Sequence, residues 1–246
     1  MIEIELIISV LFILVIIQTI IGVGVLVIGT PFLLILEFNI VEVLSILLPI
    51  SIFTSFINLL FFKINKKELK MKINSETKYL FFFICLPSIF IGLYLLQIFY
   101  EYINFKYLVS FVIILSILIS NIKNKKIKIN KTIKAFYLIL IGIVHGLTNS
   151  GGSLLSLFMS SHLKKNNSRY GITFFYFFLA LFQFLIFNSL FNFNSKIFNF
   201  YLIGALIPLG VVIGNYAVKF INENKFKKLI NLLCLVTCFF LITNNS

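Results

Sequence analysis

Long apolar runs, separated by short polar segments, dominate the pattern of this chain. They cover residues 6–21, 25–36, 44–62, 79–97, 107–120, 135–148, 153–163, 170–191, 197–218 and 229–243. A helix needs about 20 residues to cross the hydrocarbon core of a bilayer. Six of the runs can span, although 107–120 and 229–243 are short and need flanking residues to do so. The pattern therefore predicts an all-α polytopic membrane protein.

The four remaining runs form two pairs, each divided by a break that contains glycine. The first break is Gly22-Val-Gly24 and the second is Asn149-Ser-Gly-Gly152. Irregular backbone occurs at membrane depth only where protein shields it or where it lines a wet cavity. Each pair is therefore predicted to be a broken or re-entrant helical hairpin.

Basic residues are concentrated in four gaps between runs, namely Lys63–Lys78, Lys123–Lys134, Lys164–Arg169 and Lys219–Lys228. If each broken pair leaves the membrane on the side where it entered, all four gaps fall on one side. Cytoplasmic loops carry the excess of Lys and Arg in membrane proteins. The charge pattern thus favours broken pairs. It predicts a multi-pass cell-membrane protein with cytoplasmic basic loops and both termini outside.

Composition agrees with a membrane protein, since 60% of the residues are hydrophobic, 12% are charged and the mean hydropathy is +1.08. Soluble domains have about 25% charged residues. The net charge of +13 could indicate nucleic-acid binding. Because the basic residues lie only between the runs, we instead expect them to face anionic lipid, with no nucleic acid as partner. The three cysteines lie within apolar runs and suggest no metal site.

Each half is predicted to contain one hairpin and three spans, an odd number of crossings that inverts the second half relative to the first. A weak repeat accompanies this, because Pro87…Gly92-Leu-Tyr94 is echoed by Pro208…Gly214-Asn-Tyr216. We predict two inverted repeats with about eight membrane segments in total. The repeats are residues 1–122 and 135–246, and the basic cytoplasmic linker is residues 123–134. Inverted repeats with broken helices recur in transporters.

Three stretches give the chain a family resemblance: Gly22–Pro31, Gly146–Gly152 and Ile207–Gly214. They are similar to the glycine-rich motifs and the ending of the TauE/SafE family of sulfite and organosulfur-anion exporters, which are TSUP-type membrane permeases. The resemblance covers nearly the whole chain and implies transport of a small anion such as sulfite, thiosulfate or a sulfonate.

The chain departs from that family's pattern in both hairpins. Gly24, Val25 and Leu26 stand where the family often has three successive glycines. Phe158 stands where the second hairpin would have the counterpart of Pro31. These departures concern the identity of the solute more than they concern the fold.

The hairpin tips are the predicted site. A helix that begins in mid-membrane presents free N–H groups and the positive end of its dipole, which together attract anions. We expect the second arms to begin near Val25 and Ser153 and to hold a small anion between them, although the glycines could instead serve helix packing. The predicted solute-binding residues are Gln18, Gly22, Gly24, Ser51, Thr54, Asn58, His145, Asn149, Ser150, Gly151, Gly152 and Ser153.

Polar stripes and one histidine extend this site. Ser51, Thr54, Ser55 and Asn58 share one helix face, and they either line a pathway or join helices. Thr173, Tyr176 and Gln183 form a looser stripe on the matching run. His145 lies four residues before Asn149 and is either a proton-coupling residue or a hydrogen-bonded interhelical residue.

A secondary carrier or facilitator is the favoured class. The chain has no Asp, and no pair of acidic residues lies within a run, as hydrolysis by paired acids would require. It has no nucleotide-binding motif, and no cofactor is expected. A non-transporting subunit of a larger complex and, less favoured, an intramembrane enzyme remain alternatives, and the oligomeric state is open.

Overall fold

The computed structural model describes residues 2–64, 73–104, 131–191 and 200–226, together with isolated residues between 107 and 114 and between 228 and 235. Every regular element in this part of the chain is helical. The predicted spans 107–120 and 229–243, most of the linker 123–134, and Cys234 and Cys238 lie largely or wholly outside the described residues.

The helices are numbered here in chain order. They are α1 (Ile2–Ile21), α2 (Val25–Ile35), α3 (Ile40–Ile64), α4 (Ser75–Leu80), a π turn (Phe81–Cys85), α5 (Leu86–Phe99), α6 (Lys131–Thr148), α7 (Gly151–His162), α8 (Lys165–Phe191), α9 (Phe200–Ala217) and a 3₁₀ turn (Val218–Phe220).

Within the described residues, four helical segments are long and apolar enough to cross a membrane. They are Ile40–Ile64, Ser75–Phe99, Lys131–Thr148 and Lys165–Phe191. Shorter apolar helices make up the two predicted broken pairs, except that α6 is itself long enough to span. The prediction of an all-helical polytopic membrane protein is confirmed.

Local chemistry explains several helix boundaries. Asn39 and Glu42 form a capping box at the start of α3, because each backbone N–H donates to the other side chain at 3.0 and 2.9 Å. The side chain of Asn74 caps α4 by accepting from the Glu76 N–H at 3.1 Å. The π turn ends two residues before Pro87, which has no N–H to donate and whose ring displaces the carbonyl one turn earlier.

The helices of the two halves pack against each other rather than forming separate bodies. In the centre, α3 packs against α8. On one flank α5 packs against α6, and on the other α9 packs against α1. The second arms α2 and α7 lie against α3 and α8 respectively, and they also contact each other. The two interruptions are therefore enclosed by helices of both halves.

Glycine allows the closest of these helix crossings. A Cβ atom added to Gly92 of α5 would collide with the Ile143 carbonyl of α6 and lie 3.0 Å from the Gly146 Cα. A Cβ atom added to Gly146 would meet the Ile89 carbonyl of α5 in the same way. On the other flank, a Cβ atom added to Gly214 of α9 would lie 2.6 Å from the Thr19 Cβ of α1. Small residues permit such backbone contact in membranes, where close packing drives helix association.

We predict that Gly92→Ala lowers the free energy of unfolding by about 1–3 kcal/mol, because two backbones must separate. Gly204 is the matched control, since a Cβ atom added there meets nothing within 4 Å. Gly204→Ala should leave stability unchanged or raise it slightly, because alanine favours helix. Unfolding in mixed detergent micelles measures both, and equal stabilities for the two variants would contradict the crossing.

Candidate solute-binding site at the helix interruptions

The two interruptions begin with the same backbone geometry. The first follows α1 at Gly22 (φ 99°), and the second follows α6 at Asn149 (φ 64°), both in the left-handed region. Gly22 N–H donates to the Gln18 carbonyl at 2.7 Å, and Asn149 N–H donates to the His145 carbonyl at 2.9 Å. Glycine and asparagine are the residues that adopt this conformation most readily. Gln18 and His145 therefore hold equivalent places, one turn before each break.

Gln18 satisfies the backbone at the first interruption. Its side-chain carbonyl accepts from the Val25 N–H at 3.0 Å, which caps the N-terminus of α2. Its side-chain NH₂ donates to the Ser51 carbonyl and to the Ser55 hydroxyl, each at 3.0 Å. One buried amide side chain thus joins α1, α2 and α3 and replaces backbone hydrogen bonds that the break removes. The expected start of the second arm at Val25 is confirmed.

Short-range bonds organise the second interruption. The Ser150 hydroxyl donates to the Thr148 carbonyl at 3.2 Å, and the Ser153 hydroxyl donates to the Ser150 carbonyl at 2.7 Å. The expected start near Ser153 would leave Gly151 and Gly152 before the helix. The second arm α7 instead begins at Gly151, so both glycines belong to its first turn. This earlier start corrects the prediction for that arm.

The second hairpin contacts the second arm of the first hairpin. The Asn149 side-chain NH₂ donates to the Thr30 hydroxyl of α2 at 3.1 Å. A Cβ atom added to Gly152 of α7 would lie 3.1 Å from a methyl group of Val27 of α2. The first turns of the two second arms therefore lie side by side, and all four of these residues are buried.

Tyr176 of α8 lies between the two second arms. Its ring occupies the space into which a side chain at Gly152 would project. Its hydroxyl faces the Ser51 hydroxyl and the backbone amides of Leu26 and Val27 at the start of α2. It nevertheless makes no hydrogen bond of ordinary length there. The phenol therefore lies where the N-terminus of α2 would meet an anion.

Several buried polar atoms near the second interruption have no hydrogen-bond partner among the described residues. They are both ring nitrogens of His145, the Asn149 and Gln183 side-chain carbonyls and the Tyr176 hydroxyl. Three of these residues are neighbours, because the Gln183 NH₂ and the Asn149 backbone N–H both donate to the His145 carbonyl. The His145 and Tyr176 rings lie 5.8 Å apart. Unpaired polar atoms are costly when buried, so a site that leaves several together is prepared for a polar solute or water.

The α3 stripe is buried as the sequence predicted, with Ser51, Thr54, Ser55 and Asn58 each at most 1% exposed. Ser51 and Ser55 bind Gln18, as described above. Thr54 donates to the Ile50 carbonyl of its own helix at 2.7 Å. The stripe therefore faces the first interruption, and Asn58 continues it toward the start of α8.

Arg169, which the sequence analysis placed in a basic loop, is buried beside this region. Arg169 lies inside α8, which begins at Lys165, and it is 5% exposed. Its guanidinium donates to the Thr19 carbonyl at 2.8 Å, to the Asn215 side-chain carbonyl at 2.7 Å and to the Asn58 side-chain carbonyl at 3.4 Å. It also lies over the Phe62 ring, 4.7 Å from the ring centroid. The assignment of Arg169 to a solvated basic loop was wrong.

The sequence contained a signal for this residue. Arg169 is the one arginine of the chain, and the other basic residues are all lysine. Arginine binds several oxygens at once with a rigid fork and is weakly hydrated, so it suits a buried position better than lysine does. Asn215 was also missed, because it follows the apolar stretch of α9 with no polar neighbour to mark its face.

The structure thus groups the predicted site residues in two places. Gln18, Gly24, Ser51 and the start of α2 surround the first interruption, and Gly22 and Asn58 border Arg169. The second group surrounds the second interruption and contains His145, Asn149, Ser150, Gly151, Gly152 and Ser153. Thr54 lies on the same face of α3 as Ser51 and Asn58, but its hydroxyl donates to a carbonyl of its own helix.

We predict that Gln18→Leu lowers the free energy of unfolding by about 1–3 kcal/mol, because the Val25 N–H and the Ser55 hydroxyl lose their partner in a buried place. Gln97→Leu is the control, since Gln97 is exposed on α5. It should change stability by less than about 0.5 kcal/mol. Thermal unfolding of both variants in detergent tests this, and a neutral Gln18→Leu would refute the capping role.

The chain matches a known protein family over most of its length. A family model described as "Sulfite exporter TauE/SafE" matches residues 6–241. A search of curated proteins and a search of solved structures each gave no match. The matched range includes both interruptions and all the helices that enclose them. The chain therefore belongs to the TauE/SafE family of sulfite exporters.

Proposed function

We propose that this protein is a secondary carrier or facilitator that moves a small anion across the cell membrane by alternating access around the two interruptions. The substrate class is a sulfur-containing anion such as sulfite, thiosulfate or a sulfonate, which agrees with the description of the matching family. The observation that carries the proposal is the contact between the two second arms, with unpartnered buried polar atoms beside them.

The start of α2 supplies the chemistry for an anion. Gln18 caps the Val25 N–H, whereas the Leu26 and Val27 amides face the Tyr176 hydroxyl. Amides at a helix N-terminus and hydroxyl groups are the donors that bind oxyanions without a basic side chain. We infer that the solute takes the place of the Tyr176 hydroxyl at these amides, while Ser51 provides a further donor.

The pairing of helices supports two inverted repeats. Exchanging α1, α2, α3 and α5 with α6, α7, α8 and α9 converts the contact of α5 with α6 into that of α9 with α1. The same exchange converts α2–α3 into α7–α8 and α5–α8 into α9–α3, and it leaves α3–α8 and α2–α7 unchanged. An exchange that preserves so many contacts is what a pseudo-two-fold axis produces, and rocking of one repeat against the other exposes a central site to each side in turn.

The repeats in this proposal are residues 1–122 and 135–246, with residues 123–134 as a cytoplasmic linker. The basic loops face the cytoplasm and both termini lie outside. The positive-inside rule supports this orientation. The short turn Leu163–Lys164 joins α7 to α8 on the same side as the linker, because both arms of the second hairpin return to it.

We predict that purified protein in liposomes takes up at least one of radiolabelled sulfite, thiosulfate, a sulfonate or a small carboxylate with saturation kinetics. Gly152→Val should reduce the rate on the order of tenfold or more, because the new side chain collides with Tyr176. Gly204→Val, at an open position, is the matched control and should retain transport. Absence of flux for every anion in this panel would contradict the proposed function.

A further inference from the structure

Arg169 carries a buried charge whose bonding partners are all neutral. They are a backbone carbonyl of α1 and the side-chain carbonyls of Asn58 and Asn215. In the described part of the chain, no carboxylate lies within ion-pair distance of the guanidinium, and the ion pair that is present joins Lys134 to Glu76. The hydrogen bonds of Arg169 are thus largely satisfied while its charge is not neutralised.

Such an arrangement differs from an ordinary buried salt bridge. Neutral oxygens replace part of the hydration that an arginine loses on burial, but they leave a full positive charge in a medium of low polarity. Ionisable residues inside membrane helices face the protein interior and mark solute or ion pathways. A negative solute nearby would supply the missing countercharge.

Arg169 also lies close enough to the first interruption to act on a solute there. A Cβ atom added to Gly22 would lie 3.1 Å from the Arg169 carbonyl. Asn58, which accepts from the guanidinium, is seven residues along α3 from Ser51, an axial separation of about 10 Å. At that distance a unit charge near a protein site changes the affinity for an anion roughly tenfold.

We propose that Arg169 is the specificity-determining residue that makes a negative charge on the solute a requirement for binding. Its uncompensated charge attracts the anion to the first interruption, and the anion in turn provides the countercharge that the fold omits. This inference rests on the proposed function. It adds to the backbone amides at the start of α2 a fixed positive charge, that of the Arg169 guanidinium.

Two substitutions remove the charge in different ways. Arg169→Gln removes the guanidinium itself. Asn58→Asp places a carboxylate where the Asn58 side-chain carbonyl already accepts from Arg169 and Asn215, so it neutralises the charge with almost no change of shape. We expect either variant to raise KM for the transported anion roughly tenfold in the proteoliposome assay. Arg169→Lys, which keeps the charge but loses the fork, should retain most of the affinity.

Lys164→Gln is the matched control. It removes one positive charge from an exposed residue five positions before Arg169, so KM should change by less than about twofold because solvent screens it. Variants are compared as monodisperse protein, and protection from thermal unfolding by the transported anion gives a second measure of affinity.

The outcomes separate the two claims. If wild-type protein carries an anion and Asn58→Asp carries it with unchanged KM, the role assigned to Arg169 is overturned, because a purely structural arginine would be stabilised by the added carboxylate. Equal impairment of Arg169→Lys and Arg169→Gln, with KM unchanged and only the maximal rate reduced, would also overturn it. If the wild-type protein carries none of the anions, the proposed function itself fails.

Discussion

Backbone hydrogen bonds that a helix loses inside a bilayer have to be regained from the protein, and this constraint organises the whole structure. Two helical pairs are interrupted, at Gly22–Gly24 and at Asn149–Ser150. Each interruption frees N–H and carbonyl groups that lipid cannot satisfy. Gln18 and Arg169 meet this need at the first interruption, whereas Thr148, Ser150 and Ser153 meet it at the second. The helices packed around the two interruptions hold these partners in place.

Satisfying the interruptions also produces the polar interior that a solute can use. Gln183 binds the His145 carbonyl and leaves its own side-chain carbonyl unpartnered, as Asn149 does when it binds Thr30. Each of these amides thus has one polar end that holds the fold together and another that has no partner. Tyr176 lies against Gly152 of α7 and occupies the space that a side chain there would fill.

The helical membrane fold and the two breaks could be predicted from the sequence, because hydrophobic runs, glycine breaks and the distribution of basic residues are visible without knowing which helices are neighbours. The break at Gly22-Val-Gly24 was predicted, and the second arm was predicted to begin near Val25, where the helix does begin. Partnerships between distant residues were not, since a pattern along one helix does not identify its neighbours. Gln18 was picked for its distance from Gly22, yet its bonds to Ser51 and Ser55 follow from the packing of α1 on α3. Arg169 was read as a loop residue because α8 begins with polar residues.

The central claim is that the two interrupted helices meet in the interior of the membrane, and cross-linking tests it most directly. Thr30 and Asn149 lie 119 residues apart in sequence with their side chains hydrogen-bonded. Cysteines at both positions in a cysteine-free background should be joined by the shortest bifunctional thiol reagent in native membranes, because the two side chains lie within hydrogen-bonding distance. Single-cysteine variants provide the control. A double variant that never cross-links would contradict the account.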